Sequence, residues 1–232
     1  MKKSTYLSIL TLLVLIPATL WLGTQLKGRW YYLTSTLVIL EAMLPFFLSF
    51  EARRPQAREL VTIAVMAALA VAGRVAIPVP NFKAITGIIM IAGMAFGPQA
   101  GFMTGAISAF ASNFFYSQGP WTPWQMLSYG MAGFLAGVLF CRRKYGSDRM
   151  DTLLKTVFAF LAVVLAVGPL LDACTIFTTG GKLSWRFAFA VLASGFPHNV
   201  IHGLSSAATV LLLSRPLLTK LNRLKTKYGM MQ

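Results

Sequence analysis

Apolar residues in this chain fall into runs, most of roughly 17–24 residues and the extremes 14 and 29, with little charge inside them, and this limits what the chain can fold into. A helix of about 20 apolar residues crosses about 30 Å of hydrocarbon. One such run could be a buried core helix, but eight could not. The runs lie at 5–23, 30–50, 59–77, 84–97, 100–116, 124–141, 152–177 and 186–214. They predict an all-α, polytopic helical membrane protein joined by short connections.

Composition agrees. Of 232 residues, 56% are apolar and 12% charged, about half the charged share of a soluble domain. The net charge is +15, from 21 Lys and Arg against 6 Asp and Glu. In a soluble protein that excess points to nucleic acid. Here the basic residues sit at the ends of apolar runs, so no nucleic-acid partner is expected and the positive-inside bias is the better reading. With both termini in the cytoplasm, 15 basic residues fall in inner segments and 6 in outer ones. The expected location is the cell membrane. Met1-Lys2-Lys3 and the following run resemble a signal peptide, but no small-x-small cleavage site stands near Gly23 and a second run follows at once. A retained first span is expected. Cys141 and Cys174 form no C-x-x-C pair and predict neither a disulfide nor a metal site.

The polar break at 50–58 (FEARRPQAR) divides the chain. Residues 1–50 form a Leu-rich two-span hairpin, 51–214 a Gly- and Ala-rich six-helix core, and 215–232 a basic cytoplasmic tail. Two features of the core bear on function. The run 84–97 rises only about 21 Å as a helix and cannot cross the hydrocarbon alone. It is either tilted into packed protein or continued by a loop that dips inward. The outer connections 74–83 (RVAIPVPNFK), 117–125 (SQGPWTPWQ) and 178–182 (TTGGK) are rich in Pro, Trp and Gly. They suit a lid over a binding site; the tryptophans also suit an interfacial belt.

Small residues recur at helical spacing: Ala64, Ala68 and Ala72; Gly101 and Gly105; Gly133 and Gly137. Such ridges serve close packing inside the protein or docking of a partner helix. Polar stripes recur too, with Ser194, His198, His202, Ser205 and Thr209 on the last span and Thr104, Ser108 and Ser112 on the fifth. Asp172 lies near the outer end of the seventh. Polar groups at membrane depth face the bundle interior or a wet cavity. His198 and His202 have the i, i+4 spacing of a metal pair, but no Glu adjoins the first, and the third ligand would be the remote Asp172. No G-x-x-x-x-G-K-[ST] is present, so any ATPase is another chain. Nor do G-x-S-x-G or paired carboxylates mark an enzyme.

Residues 58–74 (RELVTIAVMAALAVAGR) resemble the first core helix of the substrate-binding S components of energy-coupling factor (ECF) vitamin transporters. Residues 85–98 (ITGIIMIAGMAFGP), 101–115 and 130–137 continue the resemblance in order, over roughly 58–213. Among S components the chain looks most similar to the cobalamin-specific group. The resemblance implies a transmembrane scaffold subunit and two ATPase subunits as partners, with Ala64 and Ala68 docking on the scaffold. It implies a vitamin site near the outer face, at Arg74, Asn81, Phe82, Lys83, Trp121, Trp124, Gln125, Asp172, His198, Asn199 and His202. The expected function is therefore a non-enzymatic vitamin-binding importer subunit with no resident cofactor or metal. The rival readings are an intramembrane metal enzyme using His198, His202 and Asp172, and a self-sufficient secondary transporter. The extra N-terminal hairpin departs from the family pattern.

Overall fold

Each apolar run becomes a helix, and several of the described ends carry a cap or a breaker that the sequence supplies. The structure, a computed structural model, describes residues 7, 10–25, 30–141, 143–178 and 184–230. The helices are α1 (Ile16–Gln25), α2 (Trp30–Glu51), α3 (Ala57–Val75), α4 (Ile85–Phe96), α5 (Pro98–Tyr116), α6 (Trp121–Phe140), α7 (Asp148–Ala162), α8 (Gly168–Thr178) and α9 (Trp185–Tyr228). A π-helical turn, Thr11–Leu15, leads into α1, and another, Val163–Val167, joins α7 to α8 as one rod. The eight expected spans are thus eight helical rods, and no strand occurs among the described residues.

Local chemistry accounts for the ends. Ser147 and Ser184 cap α7 and α9, their hydroxyls accepting the Met150 and Phe187 amides, which satisfies orphan first-turn donors. Gly97, at φ 97°, turns α4 sharply into Pro98 at the start of α5, a backbone conformation that glycine adopts without strain.

α4 is the centre of the molecule. All twelve of its residues are buried, packed among α3, α5, α6 and α9. A helix apolar on every side belongs inside other protein. This settles the short run: α4 rises about 18 Å and is wrapped by protein. The glycine ridges explain how four helices fit around it. A Cβ on Gly93 would stand 2.1 Å from the Gly133 carbonyl oxygen, and one on Gly133 would stand 2.2 Å from that of Gly101. Gly105 and Gly137 meet α6 and the start of α5 in the same way. Both G-x-x-x-G pairs are therefore spent on packing inside this chain.

By length and composition, three described stretches suffice to cross a membrane: Leu33–Glu51, Asp148–Thr178 and Trp185–Tyr228. α3, α5 and α6 have 19 or 20 residues but carry more glycine, alanine and polar side chains. On α5 and α6 many of those residues are buried against neighbouring helices, whereas α3 carries Arg58, Glu59 and Arg74 near its ends and leaves Ala64, Ala68 and Ala72 exposed.

α9 has 44 residues and rises about 66 Å. Pro197 and Pro216 lie inside it, and the stretch between them rises about 28 Å, close to the hydrocarbon thickness. Residues 215–228, read from sequence as a tail, continue the helix. Leu221 and Met230 join the buried core, and Lys225 Nζ donates to the Ala95 carbonyl at 3.1 Å. In the N-terminal hairpin, Thr19 donates to Glu41 Oε1 at 2.7 Å across the two helices. α2 stacks Phe46 on Phe102, with centroids 4.1 Å apart, and sets its edge against Phe134.

Gly133→Val drives a branched side chain into the α5 backbone. A loss of about 3 kcal/mol is expected, read as a lower thermal-unfolding midpoint in detergent. Leu212→Ala, on a 71% exposed side chain, should stay within about 0.5 kcal/mol.

Candidate ligand-binding site

The C-terminal turn of α3, the N-terminal turn of α4, the α5–α6 corner and the middle of α9 meet at one end of the bundle. The basic links and the C-terminal part of α9 occupy the other end. Arg74, in the last turn of α3, donates through Nη1 to Ser112 Oγ at 2.5 Å and Asn113 Oδ1 at 3.0 Å. Its guanidinium lies 4.7 Å over the Tyr116 ring, and the Tyr116 hydroxyl donates back to the Arg74 carbonyl at 3.0 Å. Asn113 spends its amide on α6, donating to Thr122 Oγ1 at 3.0 Å and Gln125 Oε1 at 2.8 Å. One network therefore runs from α3 through α5 into α6.

A second network joins α4 and α9. Ser205 Oγ donates to the Lys83 carbonyl at 2.6 Å and accepts the Lys83 amide at 3.0 Å. Thr86 Oγ1 and His202 Nε2 share a buried hydrogen bond of 2.8 Å. The His202 ring sits edge-on to Tyr129, with centroids 6.1 Å apart. The Lys83 ammonium donates to the Ile77 carbonyl and lies 5.8 Å from the Tyr116 centroid, beside Arg74. On the α8 side, Asn199 donates to Asp172 Oδ2 at 2.8 Å. Gly168 and Gly195 admit this pair: a Cβ on Gly168 would meet Asn199, and one on Gly195 would meet Asp172. Gly168 follows the π turn, a local distortion that recurs at functional sites.

Of the residues expected from sequence, Arg74, Lys83, Gln125, Asp172, Asn199 and His202 enter these networks. Asn81 is exposed, at φ 57° in the α3–α4 link, with Phe82 beside it half-buried. Trp121 is 41% exposed and its ring folds over Gly119. Trp124 points away from Asn113, into a cluster with Phe102, Cys174 and Met43, stacked on Phe177 at 5.8 Å. Its indole N–H is buried without a partner among the described residues. His198 is exposed, its Nδ1 3.2 Å from the Ser194 carbonyl of its own helix. The expected polar stripe of α9 therefore splits, with His202, Ser205 and Thr209 buried and Ser194 and His198 outside. On α5, Thr104 and Ser108 bond carbonyls of their own helix, and only Ser112 of that stripe reaches the site. Most of the 178–182 connection lies outside the described residues.

Thr86, Asn113, Tyr116, Thr122 and Tyr129 were not singled out from sequence. Thr86 is legible in hindsight as the lone hydroxyl of α4. Asn113 had no such signal, because its neighbour Ser112 fitted the stripe.

Chemically, the site offers two cations with no carboxylate at ion-pair distance among the described residues. Around them stand neutral amide, hydroxyl, imidazole and aromatic groups. The two histidines take different partners, and no three His, Cys, Asp or Glu side chains cluster among the described residues.

The family model for the S component of ECF-type riboflavin transporters matches residues 55–220. The chain belongs to that family. The match starts at the break before α3 and leaves the hairpin outside. The S component is a substrate-specific transporter subunit, and its family is not an enzyme family. No curated protein and no solved structure matches the chain. On the surface of this S component, Ala64, Ala68 and Ala72 are exposed and line an apolar groove of about 510 Å³ between α3 and α5.

Asn113→Leu keeps the branching and heavy-atom count of the side chain but leaves Arg74, Thr122 and Gln125 without their shared partner. A destabilisation of about 1–3 kcal/mol is expected from the unpaired groups, measurable as a drop in the unfolding midpoint. A matched Asn222→Leu change on the exposed part of α9 should leave the midpoint nearly unmoved.

Proposed function

We propose that this S component captures a vitamin at the Arg74–Asn113–His202 end of the bundle and delivers it inward as part of an ECF importer. The family match over 55–220 carries this reading. The networks at that end supply what a heterocyclic vitamin needs: two cations and neutral donors and acceptors beside aromatic rings. Pockets that bind small molecules are mostly apolar, with a few such groups fixing orientation. The basic end is the cytoplasmic one, by the 15 to 6 distribution of Lys and Arg, so the site faces outward.

With no P-loop in the chain, ATP is hydrolysed by two partner ATPases coupled through a transmembrane scaffold. The exposed Ala64–Ala68–Ala72 groove is the docking face, because small residues let a partner helix approach closely in lipid. Its exposure contrasts with the glycine ridges, which are used up internally.

The ligand is first a flavin, because the matched family is named for riboflavin. The second reading is a corrinoid, which rests on the resemblance to cobalamin-specific S components. Calorimetry and thermal shift on purified protein with riboflavin, cobalamin, cobinamide, biotin, folate and thiamine separate the two. Saturable stabilisation by riboflavin alone is expected. A response only to corrinoids transfers the assignment to cobalamin, and a response to neither sinks both. Ala64→Trp with Ala68→Trp should cut uptake by cells at least tenfold while leaving binding by the isolated subunit unchanged. Equal loss of binding would disprove the docking face.

A further inference from the structure

At the basic end, the α6–α7 link, the first turns of α7 and the C-terminal part of α9 enclose a cleft of about 370 Å³. A second hollow of about 250 Å³ shares Arg143, Lys144, Lys155, Leu218 and Asn222 with it and reaches under α4 to Lys225. Five cations line this continuous space: Arg143, Lys144, Lys155, Arg215 and Lys225. Two carboxylates stand with them, and each is already engaged. Asp148 pairs with Lys144 at 2.6 Å. Asp151 bonds Lys155 through one oxygen and accepts the Tyr145 amide at 3.1 Å through the other. Arg143, Arg215 and Lys225 have no carboxylate partner among the described residues.

Arg215 is held for presentation rather than neutralised. Its Nε donates to Thr152 Oγ1 at 2.9 Å, while its terminal nitrogens carry no hydrogen bond among the described residues. Lys225 is similarly fixed on the Ala95 carbonyl. Three like charges drawn toward one polar cleft repel each other, and an anion inside it relieves that repulsion. Guanidinium groups offer the planar donor fork that matches phosphate oxygens, and Asn222 adds a neutral amide donor at the wall.

The surface beside the cleft indicates the source of the phosphate. Toward the middle of the bundle, α7 exposes Leu153 and Leu154, and α9 exposes Leu211 and Leu212. A charged hollow at a helix end, continuous with an apolar flank on the same two helices, is complementary to an amphiphile. Basic pockets between spanning helices at the cytoplasmic side hold anionic headgroups. We propose that this cleft binds the phosphodiester headgroup of an anionic phospholipid, with its acyl chains along α7 and α9. The site is separate from the vitamin end and does not depend on which vitamin is bound.

The full chain in detergent, titrated with phosphatidylglycerol, phosphatidylcholine or inorganic phosphate, tests this by native mass spectrometry and thermal shift. Phosphatidylglycerol should be retained and raise the unfolding midpoint, while phosphatidylcholine and inorganic phosphate do neither. Arg143→Gln with Arg215→Gln should weaken phosphatidylglycerol binding at least tenfold, and Arg143→Gln alone should weaken it in part if the double variant does not fold. Lys220→Gln with Arg223→Gln removes the same charge from α9 outside the cleft and should leave binding intact. Equal loss in that control, or equal retention of phosphatidylcholine, overturns the site. Equal stabilisation by inorganic phosphate overturns the lipid assignment.

Discussion

Backbone-to-backbone contact around α4 is the constraint on which the rest of the fold depends. Gly93, Gly101 and Gly133 bring three helices so close that a single Cβ on any of them would overlap a neighbouring backbone. Lipid chains are as apolar as leucine, so helices in a bilayer gain little from hiding hydrophobic surface. They gain from close van der Waals contact instead. Because α4 is sealed inside that contact, its two ends become fixed reference points. One end carries Thr86, facing His202. The other carries Ala95, whose carbonyl takes Lys225.

The polar end is organised by what glycine leaves open elsewhere. Asp172 and Asn199 meet only because Gly168 and Gly195 present no side chain between α8 and α9. The Arg74 network works differently. It binds α3, α5 and α6 through side chains at one end of the bundle. Rigidity comes from the glycine-packed middle, and chemistry from the ends.

Much of the architecture was legible from sequence because its signals are one-dimensional. Apolar run length placed all eight rods of the described residues, and the family match begins at residue 55. The role of α4 was half-legible: its length excluded a free span, but its burial depends on partners distant in sequence. Site residues were harder for a physical reason. Helical periodicity puts Ser194, His198 and His202 on one stripe, but burial depends on where the neighbouring helix ends. His198 lies beyond that cover and His202 beneath it. Gln125 and Trp124 are adjacent in sequence and point to different clusters, which no spacing rule resolves. The last segment, 215–228, reads as polar by composition, yet Leu217, Leu218 and Leu221 return it to the core.

The two prolines of α9 divide that long helix into three pieces, the middle one about as long as the hydrocarbon is thick. Each removes one backbone hydrogen bond and crowds the preceding turn. The middle piece is clamped to α4 through Thr86 and through Gly87, which abuts Thr209. The C-terminal piece is held to the other end of α4 by Lys225 on the Ala95 carbonyl. α9 is thus one helix with two interrupted hydrogen-bond ladders and a core-packed middle. Its first turns, before Pro197, instead carry Trp185 at 92% exposure and Phe189 at 74%, so the aromatic surface of this helix lies on the piece that the core does not cover.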